Sequence, residues 1–357
     1  MESQIPIQNI YYLLCYAWNK LEEGEVVGVS AINSTRLVDL FAKVLAGGTH
    51  HLIRRGFDRG YLAFAEETPR IRGKIDFSSS LKKNLLARGQ ARCQYEELDH
   101  NVLHNQILKT TLERLSLAEG LDTKLREEVR EVLRWLRQVE SVRLSSQLFR
   151  RVQLHRNNLY YAFLLNVCEL IYDQLLVDER SGRSRFRDFL RDENRMNRLF
   201  QSFVYNFYKI EQKEFKVAAP RIYWQALPET EEAAEYLPVM QTDVCLTKWD
   251  RKIILECKYY RETLQSSQYK LTVHSGHLYQ IYSYVRNKES DEGWENCEGV
   301  LLYPTVNQTL DLFYDIQGHL IRVKTIDLKQ GWQKIKGDLL TITDVKMNHL
   351  RSHVPKP

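Results

Sequence analysis

The sequence predicts a chain of α/β and α+β character: a C-terminal α/β domain preceded by an N-terminal mixed α/β domain. Three observations predict it. The length of 357 residues calls for two domains, and 43% hydrophobic content can fill both cores. The C-terminal half alternates short apolar runs, one carrying Asp243, one at 253–255 and one at 299–303, with helical patterns at 192–213 and 276–285. The N-terminal half reads as helices interrupted by one basic, strand-like stretch. The boundary is placed near Gln153, giving domains 1–153 and 154–357.

In chain order, residues 9–21 are apolar all round, with Tyr11, Tyr12, Tyr16 and Trp18, and predict a buried helix. Residues 34–46 predict a second helix, with Ser34 as N-cap and Gly47-Gly48 as stop signal. Residues 54–77 contain short alternating runs and read as strands. They carry Arg54, Arg55, Arg59, Arg70, Arg72 and Lys74, which fit a DNA groove, a partner surface or an ordinary soluble β module equally well. Residues 101–119 and 123–137 predict paired helices, the second with Leu125, Val129, Val132, Leu133 and Leu136 on one face. His100 and His104 are four apart, but no third ligand accompanies them, so a helix surface is expected. Residues 141–150 read as a linker and 157–177 as a long amphipathic helix. Arg183, Arg185, Arg187 and Arg191 suit phosphates or a face salt-bridged with Asp188, Asp192 and Glu193. The acidic stretch 228–236 reads as a loop.

The chemistry concentrates in residues 240–260, MQTDVCLTKWDRKIILECKYY. Side chains on a strand alternate between faces, so Glu256 and Lys258 share one face while Leu255, Cys257 and Tyr259 take the other. A reversal at Trp249-Asp250 places Val244 opposite Leu255 and Asp243 opposite Glu256, where cross-strand Cβ atoms sit roughly 5 Å apart. Two carboxylates beside an ammonium make a site for a hard divalent cation, Mg²⁺ or Mn²⁺, and suit phosphodiester hydrolysis. A surface hairpin with carboxylates paired to lysine is the plainer alternative. Against it, Glu256 closes an apolar run, where a carboxylate is costly unless paired or metal-bound. Downstream, Gln280 and Tyr284 are four apart on a short helix and share a face. His274 and His277 flank Gly276 and read as structural.

The D…ExK hairpin followed by Q-x-x-x-Y resembles the RecB-like branch of the PD-(D/E)xK nucleases, whose core order is αβββαβ. That resemblance implies a restriction-endonuclease-like core, with Gln280 and Tyr284 helping to hold the lysine and the DNA. Two positions depart from the pattern. Thr242 stands where the name has proline, and Gln201 and Ser202 stand where many relatives carry a glutamate ligand. The segments IPIQNIYYLLCYAW (5–18), RIRGKIDFSSSL (70–81), FRDFLRDEN (186–194), LECKYY and HLYQIYSY look like the McrC family. McrC proteins are nuclease subunits of modified-cytosine restriction systems. The resemblance implies an N-terminal part docked on a hexameric McrB-like AAA+ GTPase, whose hydrolysis it stimulates. It implies a Mg²⁺-dependent DNA endonuclease in which Asp243, Glu256 and Lys258 are catalytic and Asp243 and Glu256 hold the metal. Two rivals remain: a stand-alone RecB-like nuclease, and a non-catalytic structural activator of an AAA+ ring.

Other function classes are disfavoured. No G-x-x-x-x-G-K-[ST] occurs, so no nucleotide is expected on this chain itself. A net charge of +5 permits DNA binding without announcing it. Six cysteines without C-x-x-C spacing read as buried thiols in a reducing cytoplasm. No run reaches the ~20 apolar residues of a membrane span, and no basic leader opens the chain.

Overall fold

A computed structural model describes residues 5–29, 36–155, 158–177, 184–186, 190, 192–227, 229–260, 264–267, 270–306 and 308–344. The chain divides into two compact units, Glu22–Arg187 and a second made of Met1–Leu21 with Asp188–Pro357. This corrects the boundary expected at Gln153, and it moves the first helix, α1 (Ile7–Ala17), into the C-terminal unit.

The unit Glu22–Arg187 is built on α2 (Leu37–Arg55), a three-stranded antiparallel sheet, and α3 to α5. The sheet comprises β1 (Gly60–Thr68), β2 (Lys74–Ile75) and β3 (Ala91–Asp99), in the order β1-β3-β2. The helices are α3 (Leu103–Ser116), α4 (Thr123–Trp135) and α5 (Leu159–Gln174). Helix α2 does not stop at Gly47-Gly48, as expected, but continues through it. A Cβ on Gly48 would lie 2.5 Å from Leu164 Cδ2 and 2.9 Å from the Tyr160 hydroxyl. The glycine therefore serves close approach of α5 rather than termination. Arg36 occupies the N-cap position of α2, and Ser34 lies outside the described residues. Helix α5 belongs here because Phe163, Leu164, Val167, Cys168 and Ile171 are all buried against its neighbours.

Arg54 and Arg55 end α2 rather than starting a strand, and Phe77 opens a short helix, Phe77–Lys82. The third strand, β3, lies in a segment the sequence left unassigned. Residues 146–150, expected as linker, form a helical turn, Ser146–Arg150. His104 is buried rather than on a helix surface, with Nε2 2.8 Å from Asp58 Oδ2, while His100 Nδ1 meets the Asp58 carbonyl at 3.1 Å. Burial lowers the His104 pKa, with Asp58 opposing.

The second unit is a six-stranded mixed sheet covered on both faces. Its helices and strands follow in order: α6 (Glu193–Glu211), β4 (Lys216–Ala218), β5 (Val244–Lys248), β6 (Arg251–Cys257), α7 (Ser275–Lys288), β7 (Glu298–Pro304), β8 (Asp311–Ile316), β9 (His319–Ile326) and α8 (Trp332–Asp344). The strand order is β8-β9-β7-β6-β5-β4, with β6, β7 and β9 parallel. The acidic stretch after β4, expected as loop, contains a short helix, Glu231–Glu235, within a hairpin closed by Arg221–Ile222 and Met240–Gln241.

Alternation along β6 sets the two faces. Ile253, Leu255 and Cys257 pack with Phe200, Phe203 and Phe207 of α6. Ile254 packs with Ile281 and Val285 of α7. Close crossing of α7 on β7 requires Gly299, where a Cβ would sit 2.7 Å from Ile321 Cδ1 and 2.8 Å from Ile281 Cγ1. Asp192 starts α6 as an N-cap, accepting from the Arg195 amide at 3.1 Å.

Helix α1 seals the α6 face. Tyr16 meets Phe203 edge-on at 5.8 Å, and Tyr12 stacks on Trp332 of α8 at 4.6 Å. Buried Asn9 donates through Nδ2 to the carbonyls of Leu328 and Gln330, each at 2.8 Å. Asn9→Ala leaves both acceptors without this donor. It is expected to cost about 1–3 kcal/mol, read as a lower urea midpoint of the full chain; an unchanged midpoint would show that the two Asn9 hydrogen bonds add nothing to stability.

Candidate active site

The reversal at Trp249-Asp250 forms as expected, with Val244 paired to Leu255. One step further along that register, Asp243 stands beside Glu256 at the carboxyl end of β6. This is the edge of a parallel array where open α/β sheets bind ligands. Glu256 shares the face of Ile254, and Tyr259 packs with the core on the opposite face, as period-two alternation requires.

Each carboxylate is held differently. Asp243 Oδ2 accepts from the Cys257 amide at 2.8 Å and from Gln201 Nε2 at 3.2 Å. Gln201 also donates to the Cys257 carbonyl at 3.3 Å, so its amide clamps the aspartate to the strand end. Glu256 is 2% exposed; its Oε1 lies 2.7 Å from Lys258 Nζ, and its Oε2 is buried with no hydrogen-bond partner. Burial pushes the Glu256 carboxyl up to about 7; the Asp243 charge adds to the rise, and Lys258 and a hydrogen bond from Gln280 pull against it. Burial also raises Asp243, opposed by the Cys257 amide, Lys258 and Gln201. Two desolvated carboxyls this close compete for one proton and titrate as a pair.

Gln280 and Tyr284 come to the same place from α7. Gln280 Nε2 donates to the Tyr284 hydroxyl at 2.6 Å, which donates to the Gln241 carbonyl at 2.9 Å. The helix thereby fixes the bend that carries Asp243. Thr242 strengthens that bend: its amide and its hydroxyl reach the Pro220 carbonyl at 3.3 and 2.9 Å. Proline at this position would lack the amide donor.

No three His, Cys, Asp or Glu side chains cluster as a metal-holding group among the described residues. The pair Asp243 and Glu256 nevertheless fits a hard cation. The unpartnered Glu256 Oε2 and the raised carboxyl pKa values are what a buried anion pair shows when its counter-charge is incomplete.

A family model described as McrBC 5-methylcytosine restriction system component matches residues 8–304. The chain belongs to this family. Among McrBC relatives, it is 32% identical over 340 residues to the type IV methyl-directed restriction enzyme EcoKMcrBC of Escherichia coli K12, covering 95% of this chain and 97% of that one. It also shares its fold with a chain from the refined half-complex of a tetradecameric assembly of Thermococcus gammatolerans McrB AAA+ hexamers with bound McrC. That match has a TM-score of 0.61 at 18% identity and covers 95% of this chain and 75% of the other. The family expected from the opening segment and from LECKYY is thus the one found.

Within this McrBC chain, Asp243, Glu256, Lys258, Gln280 and Tyr284 lie near one another. The clamp made by Gln201 was not foreseen from the sequence. His274 and His277, expected to be structural rather than ligands, are packed as rings. They join Tyr260 in a cluster of rings beside Lys258, with centroids 4.9 to 5.6 Å apart. His277 Nδ1 meets the Tyr303 hydroxyl at 2.9 Å. The signal was available as spacing: His277, Gln280 and Tyr284 form one helical face. Arg183, Arg187 and Arg191 lie outside the described residues, as does the side chain of Arg185. No described helix is long and apolar enough to cross a membrane.

Proposed function

We propose that this chain is the Mg²⁺-dependent DNA endonuclease subunit of a modified-cytosine-directed restriction system, driven by an AAA+ GTPase ring whose hydrolysis it stimulates. The observation that carries the reading is the convergence of Asp243, Lys258 and the half-satisfied Glu256 at one sheet edge. The order α6, β4, β5, β6, α7, β7 supports a PD-(D/E)xK core, since it repeats that core's αβββαβ sequence of elements.

Asp243 and Glu256 would hold Mg²⁺ or Mn²⁺. A divalent ion there supplies Lewis-acid stabilisation of the scissile phosphodiester. Lys258, cationic and held beside the pair, orients the attacking water or neutralises charge growing on the phosphate. Gln201 keeps Asp243 in place, and Tyr284 holds the backbone before it, so the site is preorganised by its neighbours.

The unit Glu22–Arg187 would meet the ring. Its β1/β3 ribbon presents Tyr61, 73% exposed, directly opposite Leu98, 44% exposed, as a partner surface does. The solved neighbour's description as McrB hexamers with bound McrC supports a ring partner of that kind. The test is cleavage of methylated plasmid by this chain with Mg²⁺, with and without its AAA+ partner and GTP, beside Asp243→Ala. Cutting is expected only in the complete mixture, and is expected to disappear in the variant. Cutting by the chain alone would favour a stand-alone nuclease; GTPase stimulation without cutting of any modified substrate would favour a structural activator.

A further inference from the structure

The rings beside Lys258 form a surface that the hydrolysis step does not use. Tyr260 lies two residues beyond Lys258, and it is 37% exposed. It stacks on His274, with centroids 5.6 Å apart and planes 29° from parallel. His277 lies 5.0 Å from Tyr260 and 4.9 Å from His274, closing a triangle of rings. Behind it stands buried Tyr303, whose ring is 5.8 Å from His277 and whose hydroxyl fixes that imidazole. The cluster thus has a buried, hydrogen-bonded floor and an accessible aromatic edge.

The floor carries little charge. Burial, the Lys258 ammonium and His274 push the His277 imidazole down to about 4, so it is neutral at ordinary pH. An aromatic shelf beside a cation is suited to a group with a flat π face next to a phosphate. That combination describes a nucleotide: the base stacks while the phosphate meets the lysine. A base inside an intact duplex has both faces covered, so only an unstacked base can use such a shelf.

We propose that Tyr260, His274 and His277 form a base-stacking shelf that seats an unstacked nucleobase beside the scissile phosphate. The inference rests on the nuclease reading, which it deepens by naming the substrate form: a DNA strand locally opened at the cut. Tyr260 and His274 are the contacting residues, whereas His277, held by Tyr303, positions them.

The test uses the full chain with Ca²⁺, which permits binding without turnover, and single-stranded oligonucleotides scanned with 2-aminopurine. Stacking quenches the fluorescence of this base. Wild type is expected to quench it at one or two positions of the scan. Tyr260→Ala is expected to weaken strand affinity about five- to a hundredfold and to abolish quenching, and Tyr260→Phe is expected to restore both. If Tyr260→Ala disturbs folding, judged by thermal unfolding, His274→Ala against His274→Phe gives the same comparison. Wild-type affinity and quenching in the alanine variant, or no quenched position in wild type, would overturn the shelf. Because the readout is binding, it stands apart from the nuclease reading, which fails instead if Lys258→Ala or Asp243→Ala cuts DNA normally.

Discussion

Replacing Lys258 with alanine is expected to lower DNA cleavage in the complete mixture by about a hundred- to a thousandfold, while GTPase stimulation continues. The Lys258 side chain is 14% exposed and its Nζ lies 2.7 Å from Glu256 Oε1, so the ammonium is held beside the carboxylates in a largely dry setting. There a charge counts for more than in water. Arginine should not rescue the variant, because its planar fork cannot occupy the place of a compact ammonium. Single-turnover cleavage and GTP hydrolysis, measured on the same samples, separate the outcomes. Normal cutting would remove Lys258 from the mechanism. Joint loss of cutting and stimulation would mean that the variant is structurally damaged.

The second large effect concerns pH and metal. Glu256 titrates near 7 in the folded protein against 4.5 for an ordinary glutamate. A carboxyl with a raised folded pKa binds more protons in the native state. Its contribution to stability is therefore complete below about pH 4.5 and is lost as pH rises through about 7. Without divalent ions, the protein should be less stable at pH 8 than at pH 5 through this group by about 2 kcal/mol. Glu256→Gln should recover much of that at pH 8, less what Lys258 loses with its partner. Mg²⁺ should reverse the ranking, because an ion that binds only the native carboxylate form stabilises wild type and not the glutamine variant. Urea denaturation at the two pH values, with EDTA or Mg²⁺, decides the matter. Equal Mg²⁺ stabilisation of both proteins would place the ion elsewhere.

The hairpin was legible because two local signals agreed. The apolar runs fix which faces are buried, and the reversal at Trp249-Asp250 fixes the register; together they place Asp243 beside Glu256. Gln280 and Tyr284 were legible for a similar reason, since helical spacing alone puts them on one face. What escaped depends on contacts between distant segments. Nothing in the sequence near Gln201 says that its amide will bridge Asp243 and the Cys257 carbonyl. Tyr260 and His274 meet only because the chain returns to the end of β6 at the start of α7. Gly47-Gly48 misled because glycine serves both termination and close packing, and only the position of Leu164 distinguishes them. The apolar pattern of α1 announced burial but could not say under which unit.

The position of α1 bears on how this protein is made. Leu13 and Tyr16 share one core with Ile335, Leu339 and Ile342 of α8, so the first and last described helices close the same interior. During synthesis, α1 leaves the ribosome long before α6 and α8 exist to receive it, while Glu22–Arg187 can collapse as a unit in between. A nascent chain stopped before Trp332 leaves Tyr12 and Tyr16 without that partner. Such a fragment exposes aromatic surface to chaperones and proteases. The sheet that carries Asp243 and Glu256 therefore gains its full packing only on a chain translated through α8.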